Sequence, residues 1–323
     1  MKTLPRTTTA TAPTTLSPPA PVVKPASMWR SRIQRTQFLT AMVFIAPWVI
    51  GLLAFIIYPI AYTVYLSFTR YGGFNPPVYI GIDNYTRMFQ DEIFRLAIWN
   101  TLFYTFLAVP IGVAVAMLLA IAMNQPVREI AIYRVILYLP SVLPIFALSF
   151  IFWALLDPNQ GIVNEFLRLI GINPPNWFGN VHTAKPALVL MAQFSAGQIA
   201  LVFLAGLKGI PHTLHEAAMI DGAGSLSRFR NITLPLMTPV ILYDLILGIS
   251  LGLQVFTQSF IITAGGPANS TKFLVYYIYD NAFRFGGNMG YASAIGVFLF
   301  VLTFVIAYGV FRTSSRWVHY ELS

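Results

Sequence analysis

The stretch "EAAMIDGAGSLSRFRNITLPL", residues 216–236, sets four charged side chains (Glu216, Asp221, Arg228, Arg230) between two long uncharged runs. Lys208 closes the run before it. Pro211 suits the first turn of a helix, where its missing N–H would be unpaired anyway. A short helix is expected from His212 to about Ile220, with Gly222 free to take the left-handed conformation that stops it. Ser225 or Ser227 is expected to cap a second helix, which Pro235 and Pro239 steer into the next apolar run. Ala217 and Ala218 give this segment a smooth face that loses no rotamer freedom on docking, and Glu216 offers a carboxylate to a cation across the contact. A helix resting on lipid headgroups would favour large apolar residues and many lysines, and the segment has little of either.

Of 323 residues, 57% are hydrophobic and 10% charged, with a mean hydropathy of +0.68. A soluble domain is about a quarter charged, so lipid is the solvent implied. The net charge of +9 comes from basic residues beside apolar runs, as the positive-inside rule produces, and no basic stripe with interleaved aromatics speaks for nucleic acid. With no cysteine, disulfides, thiolate metal sites and cysteine nucleophiles are excluded. Residues 1–34 read as a disordered Thr/Pro-rich tail. Its prolines interrupt any signal-peptide core.

A membrane-crossing helix needs about 20 largely apolar residues. Runs free of charge and histidine cover 36–69, 96–127, 135–156, 186–207 and 285–311, and a sixth, 236–263, is interrupted only by Asp244. The chain therefore reads as an all-α membrane protein with six spans, a domain over 35–312 and a short C-terminal tail, 313–323. Thirteen Lys and Arg lie on the side holding both termini and residues 209–238, against seven opposite, which makes the first side cytoplasmic. Pro47, Pro59, Pro110, Pro140 and Pro144 lie inside spans, where kinks are expected.

The spacing Glu216-Ala217-Ala218, three residues, Gly222, nine residues, Ile232-x-Leu234-Pro235 resembles the EAA loop of integral membrane subunits of binding-protein-dependent ABC importers. "NYTRMFQDEIFRLAIWNTLFYT" (84–105), "YRVILYLPSVLP" (133–144), "GIVNEFLRLIG" (161–171) and "ITAGGPANST" (262–271) resemble the carbohydrate-uptake branch. The resemblance implies a type I importer permease fold with a coupling helix between spans four and five. That helix would dock on a separate ATPase dimer, which carries ATP and Mg; this chain would bind no cofactor and catalyse nothing. Glu216, Ala217, Ala218, Asp221, Gly222, Ile232, Leu234 and Pro235 would form the coupling set. A second permease subunit, paralogous or identical, and an extracytoplasmic solute-binding protein would complete the assembly, with Gly265, Gly266 and Pro267 near the receptor at the outer mouth.

Other residues carry alternatives. "AGGPANSTK" (264–272) lacks the Gly-Lys-Ser/Thr ending of a phosphate loop. His212 and His215 lack the four-residue spacing and third ligand of a zinc site, so no metal is expected. Asp244, an acid inside a span, faces either a polar edge or a pathway. Leu247, Leu251, Gln254 and Gln258 are spaced to share one helical face. Gln254, Gln258, Phe256, Gln193 and, more weakly, Gln198 are pathway candidates, since amides bind sugar hydroxyls and aromatic rings bind C–H faces. Helix-packing glue is the alternative for each. A sugar is the expected cargo, with a polyol or a glycerol phosphate ester as the alternative. The competing class is a self-contained secondary transporter or channel, which would be expected to show an internal repeat or several intramembrane acids.

Overall fold

The computed structural model describes residues 32–284 and 286–319. The tail expected at 1–34 lies outside the described residues except for 32–34, which already belong to a helix, Arg32–Leu52. Two compact units divide the chain, Met1–Pro59 and Ile60–Ser323. In the first, the helix carries Pro47 internally and passes into a π turn, Leu53–Ile57. Phe44, Trp48 and Phe55 are exposed there, as suits a lipid-facing surface.

Among the described residues five helices are long and apolar enough to cross a membrane: Arg35–Ser67, Glu92–Met123, Val181–Gly209, Ser225–Gly252 and Met289–Ser314. They are the first, second, fourth, fifth and sixth spans. The third is a broken pair, Ile130–Val142 and Ile145–Leu155, bent by 94°. The sequence places one continuous run there. Leu143 precedes a proline and is driven into the extended region (φ −67°, ψ 131°), and Pro144 follows with ψ 142°, so two successive residues leave helical geometry. Pro110 and Pro140, by contrast, sit inside continuous helices. The last helix runs two residues into the expected C-terminal tail. A small hairpin pairs Thr69 with Tyr79 and Arg70 with Val78.

Within Ile60–Ser323 the spans pack in two main layers. At one end Ala116, Ala120 and Met123 of the second span meet Ala200, Phe203 and Leu207 of the fourth and Met237 of the fifth. At the other, Phe94 and Ala97 of the second span meet Ile249, Leu274, Tyr277, Tyr291 and Ile295. Small residues allow the close approach that replaces the hydrophobic driving force in lipid. A Cβ on Gly248 would lie 3.0 Å from Val109, and one on Gly252 would lie 3.0 Å from Thr105, so the fifth span touches the second through glycine. The chain's C-terminal end returns to the foot of the fifth span, where the His319 amide donates to Thr238 Oγ1 at 2.9 Å.

Candidate functional site

The segment between the fourth and fifth spans forms as its sequence predicts as far as residue 224. Pro211 stands at the N-cap, and the helix runs His212–Ile220. Ala223 donates its amide to Ala218 O at 2.8 Å and Gly222 donates to Met219 O at 3.0 Å, the paired bonds of a Schellman stop, with Gly222 at φ +79°. Beyond that the structure departs from expectation. Gly224, not a serine, precedes the next helix, and no side chain caps it. Ser225 and Ser227 accept from Arg228 and Asn231 instead. No second turn separates this helix from the fifth span: Ser225–Gly252 is one rod. A π turn at Phe229–Thr233 absorbs the approach to Pro235, which lies in the first turn of the following α segment.

No residue of His212–Ile220 is buried. Glu216, Ala217, Asp221 and Gly222 are exposed, and Ala218 is half-buried. The Glu216 carboxylate has no partner among the described residues. Large apolar side chains, which the sequence reading discounts here, are in fact presented: Met219 is 50% exposed, Ile220 88% and Leu226 80%. Ile232 packs against the first core layer, so the set 216–235 divides into an outward part and a part that anchors it to the bundle. Leu234 is exposed and Pro235 half-buried. His215 lies beside a small cleft with Asn124, Gln125 and Thr233, and His212 is exposed. Among the described residues no group of three or more His, Asp or Glu side chains could hold a metal.

A cavity of about 350 Å³ opens between the second, third, fourth and fifth spans. Its polar lining is Tyr104, Gln193, Ser195, Gln198, Asp244 and Gln258, and Gly248 and Gly252 form part of the wall. Four sequence candidates, Gln193, Gln198, Asp244 and Gln258, thus converge. The Gln193 amide donates to Val189 O at 2.8 Å and to Ala108 O at 3.4 Å, so it also ties helices together. Asp244 is buried, and neither it nor Gln198 nor Gln258 hydrogen-bonds through its side chain to any described residue.

Gln254 and Phe256 do not line this cavity. The helix ends at Gly252, earlier than the 263 expected, so the shared face breaks: Gln254 turns outward and donates to Ser250 O at 2.8 Å. Phe256 is taken up by its own chain, stacked on Phe260 at 5.1 Å and edge-on to Tyr276 at 5.8 Å. Tyr104, Ser195 and the two glycines were not singled out in the sequence. Tyr104 stands in the quoted 84–105 stretch, where a hydroxyl inside an apolar run was the available signal.

The loop after the fifth span is closed on itself. Gly265 is buried at φ +83°, Gly266 and Pro267 are half-buried, and Ala264 and Ala268 are exposed. Of the three residues expected near a receptor, Gly265 is thus covered by its own chain, and Gly266 and Pro267 are partly exposed. Thr271 donates to Gly266 O at 2.7 Å, and Asn100 donates to Asn269 O at 2.8 Å and Lys272 O at 3.1 Å. Lys272 pairs with Asp280 at 2.8 Å. Nearby, Asp91 accepts from Tyr277 at 2.5 Å, Tyr291 at 2.7 Å and the Ile93 and Phe94 amides. Burial works to raise the Asp91 pKa, but these four donors outweigh it and hold the carboxyl below its ordinary value. Burial, then the Asp91 bond, pushes the Tyr277 hydroxyl up to about 12.

Residues 108–319 match the family described as the binding-protein-dependent transport system inner membrane component. The chain belongs to this family. The permease is 37% identical to the probable ABC transporter permease protein YesP of Bacillus subtilis over 91% of this chain and 96% of that one. It is 36% identical to the sulfoquinovosyl glycerol transport system permease protein SmoG of Agrobacterium fabrum, over 86% of this chain and 91% of that one. Among solved structures it is similar to a bacterial alginate ABC transporter in complex with an alginate pentasaccharide-bound periplasmic protein. The TM-score there is 0.76 at 28% identity, over 88% of this chain and 96% of that chain. The permease is thus a multi-pass inner-membrane subunit of an ABC importer with the type I fold, a transport component without catalysis of its own. Family membership sets aside the self-contained secondary transporter.

Proposed function

We propose that this permease moves a sugar or related solute, handed over by an extracytoplasmic binding protein, and is driven through residues 212–226 by a separate ATPase dimer that carries the ATP and Mg. The observation that carries the reading is the unfinished surface of that segment: a firmly stopped helix with unpartnered Glu216 and bare Ile220 and Leu226. Exposed apolar groups around a charged one are the composition of a docking patch. Both termini then face the cytoplasm, in keeping with thirteen of the twenty Lys and Arg on that side. A second permease subunit, a paralogue by preference, forms the other half of the pathway. The sugar assignment draws on relatives named for sulfoquinovosyl glycerol, arabinooligosaccharides and lactose.

Because the chain has no cysteine, an Ala217→Cys variant carries a single thiol. Crosslinking from it is expected to capture the ATPase in membranes that contain the whole importer. Capture of lipid alone would overturn the docking role. Glu216→Lys is expected to lower ATP-driven sugar uptake at least about tenfold in liposomes holding all subunits while leaving insertion intact.

A further inference from the structure

We infer that the membrane cavity accepts cargo without formal negative charge, and that Asp244 is the specificity-determining residue that turns away carboxylated, sulfonated and phosphorylated saccharides. The inference rests on the sugar-permease reading and narrows it. Asp244 lines the cavity from the fifth span, 7% exposed, with no hydrogen bond or ion pair among the described residues. The other polar lining groups are amides and hydroxyls, and among the described residues no Lys, Arg or His lines the space.

Three basic side chains of the neighbouring elements are engaged elsewhere. Lys185 donates to Asn100 at 3.0 Å, Lys272 pairs with Asp280 at 2.8 Å, and Arg134 donates twice to Met123 O, at 3.0 and 2.9 Å. An anion entering this cavity leaves its hydration shell, meets no cation from this chain and lies beside a carboxyl group, between walls of low dielectric. A neutral polyhydroxyl solute meets the opposite situation. Its hydroxyls donate to Asp244 in charge-assisted bonds, and the unpartnered amides of Gln198 and Gln258 supply both donors and acceptors. The cavity's polar groups are satisfied by such a cargo and left in conflict by an anionic one. On this inference a glycerol phosphate ester is not a cargo.

The test uses the complete importer, both membrane halves with the ATPase, in lipid nanodiscs without the receptor, so that only the membrane cavity selects. Equilibrium dialysis compares maltose and cellobiose with their terminal uronates. Each neutral sugar is expected to bind roughly tenfold or more tightly than its uronate, since like-charge juxtaposition is penalised. Asp244→Asn is expected to bring each pair within about threefold, and Asp244→Lys to reverse the order. Uronates binding as well as their neutral twins in the wild type, or an unchanged ratio in Asp244→Asn, overturns the inference and leaves the sugar permease standing. Binding of none of the four probes overturns both. The wild-type ratio decides the matter even where a variant does not assemble.

Discussion

The two loops that flank the fifth span are finished in opposite ways. The one at its foot ends in side chains that meet nothing: Ile220 is 88% exposed and Leu226 80%. The one beyond its far end buries Gly265, Ser270, Thr271 and Asp280 and is clamped by Asn100 from the second span. The first is stopped by backbone bonds and anchored through Ile232; the second is clamped by ion pairs and side-chain hydrogen bonds. A chain that completes one loop internally and leaves the other open has assigned stability to the first and contact to the second.

The largest effect that would break this contrast is expected from Asp280→Ala. It leaves Lys272, whose side chain is only 12% exposed, without its counter-charge, and should cost about 3–5 kcal/mol. Thermal unfolding in detergent followed by intrinsic fluorescence reads the loss, while Ile220→Ala should leave the midpoint unchanged. Equal shifts in the two variants would dissolve the distinction. Next, Glu216→Lys should lower ATP-driven uptake at least about tenfold, equivalent to roughly 1.4 kcal/mol of coupling, with no change in the unfolding midpoint.

A smaller effect belongs to Gly222→Val. A Cβ there meets open space, so the substitution isolates the left-handed backbone, worth about 1–2 kcal/mol. Faster amide exchange confined to residues 218–224 is the expected outcome. The mildest test concerns Asp91 and Tyr277. The Asp91 pKa is lowered, so its contribution is present above the ordinary Asp value and is lost as pH falls through the folded one. The Tyr277 pKa is raised to about 12, so its contribution is present below 10 and is lost as pH climbs towards 12. Asp91→Asn should flatten the acid limb of a midpoint-against-pH curve and shorten the alkaline one.

Much of this architecture was legible in the residues. Apolar run length located the five long apolar helices and the bent pair, and Pro211 and Gly222 bracketed the helix His212–Ile220, because each fixes a backbone state by itself. Features that depend on neighbours were not legible. The 94° bend needed Leu143 and Pro144 to leave helical geometry together. The rod from Ser225 carries a π turn just before Pro235, a feature that the prolines, read only as steering the helix into the span, did not reveal. Gln254 was grouped with Gln258 by spacing, but spacing holds only while the helix lasts, and it stops at Gly252. Gly265, expected near a receptor, is buried by the bonds around it.

The rod Ser225–Gly252 joins the docking foot to the cavity without a joint. Nineteen residues separate Ser225 from Asp244, a lever arm of about 28 Å. Tilting its base by about five degrees swings the carboxylate through roughly 2.5 Å, comparable to one hydrogen-bond length. On the proposed coupling, a crank of that reach lets a grip on the cargo be made or released from outside the membrane.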